Sequence, residues 1–245
     1  MTTPTPKSPY LGARLRALLE RIETYQLGNT PYHTLWDCCC DHGYLGIKLL
    51  HKGLCQHLHF NDQVPHLIDD LIDRLNHYPS EYFKPSYSAA VMDAGQLQLN
   101  DAHHNLMILA GIGGEHMIDI LNPLLENHPE MSVDFLFCPA TTQFDLREYL
   151  AENNFELLYE SLVTERNRDY EIIHARFSPD PRPEHIGVSR TGAFWQADDE
   201  IHQRYLRKLI RHYQRCTQGD EKIEAQRILS FYLELWQEVT KEPYR

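Results

Sequence analysis

Apolar and polar positions along the 245-residue chain alternate in two periods, one that suits short strands and one that suits longer helices. Leu11, Leu15, Leu18, Leu19 and Ile22 share one side of a helical wheel, so residues 9–25 are predicted as an amphipathic helix, capped near Ser8. Arg14, Arg16 and Arg21 are read as its solvated face, with a hold on RNA phosphate as the lesser alternative. Apolar runs at residues 34–37, 58–61 and 87–91 read as strands. Helical spacing starts at Tyr44 and again at Val64, with Leu67, Ile68, Leu71, Ile72 and Leu75 expected inward. Residues 105–110 are apolar almost without a break, as a strand buried on both faces requires. A helix carrying Met117, Ile118, Ile120 and Leu121 follows, then a strand at 133–137 and a helix at 143–153. Residues 155–163 and 170–177 flank the polar turn Glu165-Arg166-Asn167-Arg168 and read as a hairpin.

Strands alternating with helices and closing in a hairpin predict an α/β fold, a mostly parallel sheet with one antiparallel edge strand. Ligands of such sheets sit outside the carboxyl ends of the strands, where the strand order reverses. Asp37, Asp62, Asp93 and Gly111 all stand at or just past predicted strand ends, so they are expected to converge on one crevice. The proline-rich stretch at 178–183 marks a boundary between a domain at 1–180 and a second at 181–245. In the second, helical patterns at 198–215 and 221–239 surround Gln218-Gly219-Asp220 and predict an antiparallel helical hairpin. There are no internal repeats.

Charge changes this picture more than composition does. The net charge of -12 opposes indiscriminate nucleic-acid binding. From residue 183 onward, however, 10 Lys/Arg balance 10 Asp/Glu, so the whole deficit lies in the first 182 residues. Arg204, Arg207, Lys208, Arg211 and Arg215 recur at helical spacing and form one basic stripe, either a solvated face or a contact for an RNA backbone. No run approaches the roughly 20 apolar residues needed to span a bilayer. The first seven residues lack the apolar core of a secretory signal. Six cysteines without a disulfide framework then suggest reduced thiols and a cytoplasmic protein.

Candidate chemistry concentrates in the stretch Leu35-Trp36-Asp37-Cys38-Cys39-Cys40-Asp41-His42-Gly43-Tyr44-Leu45-Gly46. It is a strand, a tight turn and a helix start, which presents free backbone N–H groups to a carboxylate or phosphate. Asp62 ends the next strand at the spacing where nucleotide folds place a carboxylate under a ribose. A nucleoside-containing cofactor is therefore expected here. Asp41, His42 and Tyr44 are the candidate catalytic residues, Tyr44 as an aromatic shelf for a flipped base. Cys38, Cys39 and Cys40 point in alternating directions and no second cysteine pair completes a tetrahedral site, so no metal is expected.

These segments together resemble the bacterial tRNA adenine(22)-N1 methyltransferase family (TrmK). Its "D-x-G-[SC]-D-H-[GA]-Y-L" turn is matched by Asp37, Asp41, His42, Gly43, Tyr44 and Leu45, and its "A-G-M-G-G" by Ala110-Gly111-Ile112-Gly113-Gly114. Its "R-x-[WY]-L" is similar to Arg147-Glu148-Tyr149-Leu150, its "Y-E" to Tyr170-Glu171, and its opening "R-L" to Arg14-Leu15. The resemblance spans residues 9–177. It implies a Rossmann-like methyltransferase domain that binds S-adenosyl-L-methionine, a helical second domain that binds RNA through the basic stripe, and a tRNA substrate, in a monomer or weak homodimer. Asp37 and Asp41 would order the turn and meet the methionine end, Asp62 the ribose hydroxyls, Asp93 the adenine amino group, and Gly111, Ile112 and Gly113 the floor beneath the sulfonium, with Cys39, Gly43, Gln63 and Ala94 as further cofactor-binding candidates. Two departures stand out. The family's first turn glycine is Cys39, whose Cβ and sulfur are expected to point toward the cofactor's amino-acid moiety, and its "Q-P-N" is Cys138-Pro139-Ala140. They leave a second reading, a methyltransferase-fold RNA-binding adaptor. No N/D-P-P-Y element follows the fourth strand, which suits a ring nitrogen better than an exocyclic amine as acceptor.

Overall fold

The computed structural model describes residues 8–244 except 80–81, 101, 103, 182–183 and 220–221. The first seven residues, part of the proline-rich boundary and the tip of the helical hairpin therefore lie outside the described residues. Seven strands form one sheet: β1 (Thr34–Cys38), β2 (His57–Asp62), β3 (Ser86–Val91), β4 (Asn105–Ala110), β5 (Val133–Cys138), β6 (Glu156–Glu165) and β7 (Arg168–Phe177). Their order is β3-β2-β1-β4-β5-β7-β6. The order reverses between β1 and β4, which run parallel, so their carboxyl ends open the crevice typical of this topology.

Helices α1 (Ala13–Gly28), α2 (Tyr44–Lys52) and α3 (Pro65–Asn76) cover one face, and α4 (Gly114–Asn127) and α5 (Gln143–Glu152) the other. β4 is buried from Asn105 through Leu109, as its unbroken apolar run requires. The parallel crossovers bury both sheet faces, and that burial is what holds the strand ends in place.

Three expectations are corrected. The antiparallel strand is not at the edge: β7 lies between β5 and β6, antiparallel to both, and β6 forms the edge. The reason is burial, since Glu171 to Ala175 of β7 are fully enclosed whereas no residue of β6 is. Ser8 does not cap α1. Gly12 holds that position, and the Ser8 hydroxyl accepts from Lys48 Nζ at 2.9 Å. Ile72 faces solvent on α3 while Ile68, Leu71 and Leu75 pack inward.

The chain then forms α6 (Glu200–Cys216) and α7 (Lys222–Thr240), which pack on each other and on Phe144 of α5. Asp199 caps α6 by accepting from Ile201 N and His202 N.

Candidate active site

The turn between β1 and α2 is wound tightly. Cys39, Asp41 and Gly43 all have positive φ, at 54°, 49° and 66°. Asp41 N donates to Asp62 Oδ2 at 3.1 Å and Cys40 N to the Asn61 carbonyl at 3.1 Å, so the turn is clamped to the end of β2. Cys39 thus adopts the left-handed conformation that glycine takes without cost, at a penalty of about 1 kcal/mol for its Cβ. Asp62 Oδ1 accepts from Val64 N at 3.0 Å, so one carboxylate braces both loops while remaining in the cavity wall.

Burial governs the electrostatics here. It pushes Asp37 up to about 7, with Asp62 adding to the shift and the Gly46 N–H, which donates to Asp37 Oδ2 at 3.0 Å, opposing it. It also raises the thiols of Cys38, Cys39 and Cys40, Cys39 to about 12, so near neutral pH the turn carries thiols and no thiolate.

A cavity of about 470 Å³ opens above these groups. Asp37, Cys39, Asp41, Asp62, Gln63, Gly111 and Ile112 line it, as do His42 and Tyr44. Four expected residues do not. Gly43 caps α2, and a Cβ there would stand 2.4 Å from Leu71 Cδ1, so its place is against the core. Asp93 is exposed and spends its carboxylate on Gly95 N at 2.9 Å, although its charge still reaches Cys39. Ala94 is buried in the core beneath, and Gly113 caps α4. Among the catalytic candidates, His42 Nε2 lies 3.7 Å from Asp41 Oδ1 at the open rim. Tyr44 packs against the Arg74 guanidinium, 4.8 Å from its ring centroid.

The cavity also contains a residue that the periodicity argument misplaced. Arg14 of α1 reaches in beside Gly111 and Cys138. Its Nε and Nη1 are buried and have no hydrogen-bond partner. Gly111 makes room for it: φ is 88°, and a Cβ there would come within 2.9 Å of Arg14 Nη1. The signal was present in the sequence. Arg14 stands three residues after Leu11 and four before Leu18, on the inward stripe of α1 and not its solvated face. Leaving two buried guanidinium N–H groups without hydrogen bonds is costly, and an entering anion relieves that cost. The cavity therefore offers a cation for a carboxylate together with the Asp62 acceptor for hydroxyl groups.

The second candidate surface lies on α6. Arg204, Arg207, Lys208, Arg211 and Arg215 line an open groove of about 750 Å³. Arg204 is paired with Asp169, and Arg207 packs over the Trp236 ring at 5.0 Å. Lys208 and Arg215 also line a separate cleft of about 310 Å³ between α6 and residues 139–143. A buried ion cluster fixes α6 there. Glu171 accepts from Tyr205 Oη at 2.8 Å and from Arg147 Nε, and Arg147 also donates to Glu160 at 2.7 Å and to the Ser189 carbonyl at 3.0 Å. Two of the short segments noted in the sequence, around Arg147 and Glu171, thus meet in one cluster.

Among the described residues no group of three or more His, Cys, Asp or Glu is placed to hold a metal, and no helix is long and apolar enough to cross a membrane. A family model described as "Methyltransferase domain" matches residues 12–173. A search of curated proteins finds no match. Among solved structures the chain is similar to M. capricolum TrmK in complex with S-adenosyl-homocysteine, at 16% identity and a TM-score of 0.71, covering 94% of this chain and 99% of that one. It is also similar to a Streptococcus pneumoniae protein in complex with S-adenosyl-L-methionine (17%, TM-score 0.68, covering 93% and 98%) and to the B. subtilis m1A22 tRNA methyltransferase TrmK (16%, TM-score 0.64, covering 94% and 99%).

Proposed function

The chain belongs to the methyltransferase-domain family, and from that premise we propose that it transfers a methyl group from S-adenosyl-L-methionine to tRNA, at N1 of an adenine corresponding to position 22. The observation that carries the proposal is Arg14, whose buried Nε and Nη1 have no hydrogen-bond partner, in the same cavity as Asp62. These residues fit the cofactor. Arg14 would take the methionine carboxylate and Asp37 its ammonium, which favours the ionised form of a carboxyl that otherwise titrates near 7. Asp62 would accept from the ribose hydroxyls, and Gly111, which has no Cβ, would allow close approach to the wall it forms with Ile112. Cys39 keeps the left-handed turn that a glycine would form, which supports an active cofactor site over the adaptor reading.

The cofactor supplies a sulfonium methyl as electrophile. The chain's task is to align the acceptor and exclude water. Adenine N1 brings its own lone pair, so the exposed Asp41 and His42 need not serve as a strong base. Residues 184–244 are read as the RNA-binding appendage, with Lys208, Arg211 and Arg215 meeting phosphate.

Two measurements test this reading. Calorimetric titration with S-adenosylhomocysteine should release heat, and no heat at millimolar ligand favours the adaptor. Radiolabelled methyl groups should then appear in bulk tRNA as 1-methyladenine. Cofactor binding without label in RNA would defeat the substrate assignment.

A further inference from the structure

The cofactor cavity and the cleft beside α6 adjoin through hydrogen-bonded lining residues. Ala140, which lines the cleft, donates its N–H to the carbonyl of Ile112, which lines the cavity, at 2.8 Å. Gly111 N likewise donates to the Cys138 carbonyl at 3.0 Å. At the same boundary the Arg14 guanidinium carbon lies 5.4 Å from the centroid of the Tyr170 ring, with Arg14 lining the cavity and Tyr170 the cleft. On the outer side, Lys208 and Arg215 belong both to the basic groove and to the cleft. An RNA strand whose phosphates follow α6 therefore arrives at a recess holding an aromatic ring, next to the cofactor.

We propose that this cleft is the acceptor subsite, that it receives one unstacked purine base, and that Tyr170, not Tyr44, is the ring on which the base stacks. The inference rests on the reading of the chain as an RNA methyltransferase and adds to it where the base enters. Tyr44 lines the cofactor cavity and is packed against Arg74 and His42, whereas Tyr170 lines the cleft and has Arg14 of the cofactor cavity over its ring. Stacking is tolerant of base identity, so it supplies hold and not specificity.

The test uses the full chain, loaded with S-adenosylhomocysteine, and a short single-stranded RNA containing 2-aminopurine. Stacking should quench the probe's fluorescence in the wild type and in Tyr170→Phe, which keeps the ring, and not in Tyr170→Ala. Tyr170→Ala should also lower kcat/KM on tRNA by at least about tenfold, with S-adenosylhomocysteine affinity within about twofold of wild type. Equal quenching in Tyr170→Ala overturns the proposal. So does a Tyr170→Phe that fails as badly as Tyr170→Ala while melting at the wild-type temperature, because the hydroxyl would then be the active group. Quenching that behaves as expected in an enzyme that leaves tRNA unmethylated keeps the subsite and removes the RNA methyltransferase reading.

Discussion

The two ends of the sheet are built on opposite terms. At the amino ends of β1, β4 and β5, Asp134, Arg176, Tyr25, Tyr32, His174 and Arg21 partner one another. Arg176 grips both oxygens of Asp134, at 2.5 and 2.9 Å, and passes a further bond to Tyr25. Tyr32 donates to the same carboxylate at 2.7 Å, and His174 sits between Tyr32 at 3.0 Å and Arg21 Nε at 2.9 Å. Because Arg21 donates to Nδ1, His174 carries its proton on Nε2 and stays neutral, and burial pushes it down to about 3. The carboxyl ends hold the reverse: an arginine with two buried nitrogens left unbonded, a carboxyl near 7, and a cysteine in a glycine's conformation. One helix serves both, since α1 sends Arg21 to the closed end and Arg14 to the open one. A polar group at the closed end contributes stability; at the open end it leaves something for a ligand to complete.

The sharpest way to break this contrast is at the closed end. Asp134→Ala leaves Arg176 and the surrounding cluster uncompensated and should cost about 3–5 kcal/mol in urea denaturation, while the folded fraction binds S-adenosylhomocysteine as before. A loss of affinity matching the loss of stability would show that the ends are not independent. Arg14→Met should do the opposite, weakening S-adenosylhomocysteine by about 10- to 100-fold with the melting temperature little changed.

Proton linkage separates the ends by sign. Asp37 keeps its proton in the fold up to about 7, whereas the unfolded chain releases it near 3.8, so its contribution to stability falls as pH rises through that window. Asp37→Asn should therefore gain on the wild type with rising pH, by at most about 1.4 kcal/mol per pH unit. His174 is neutral in the fold down to about 3, so the unfolded chain takes up its proton first below 6.5, and its contribution falls as pH drops. A difference curve for His174→Gln should slope the other way; parallel slopes would count against the assignment. The smallest effect is expected at the turn, where Cys39→Gly should stabilise by about 1 kcal/mol in a thermal melt.

Much of the fold was legible because burial repeats along the chain. The run of residues 105–110 gives β4 residue for residue, and Asp37, Asp62 and Gly111 are found where strands end in sequence. Asp93 was legible as a strand end but not as a ligand group, since nothing local says that its carboxylate turns back to Gly95. Arg14 was misread because charge was weighed above position on the wheel.

The sequence by itself determined the order of strands and helices, the strained turn and the basic stripe, because each depends on neighbours within a few residues. Only the tertiary structure decided that β7 enters between β5 and β6, that Arg14 meets Gly111 and Tyr170, and that Lys208 and Arg215 lead to a cleft beside the cofactor cavity. Those facts join residues far apart in the chain, from 36 positions between Phe137 and Ile173 to 156 between Arg14 and Tyr170. They arise from which faces remain to be buried once the local elements exist, a choice that periodicity does not encode.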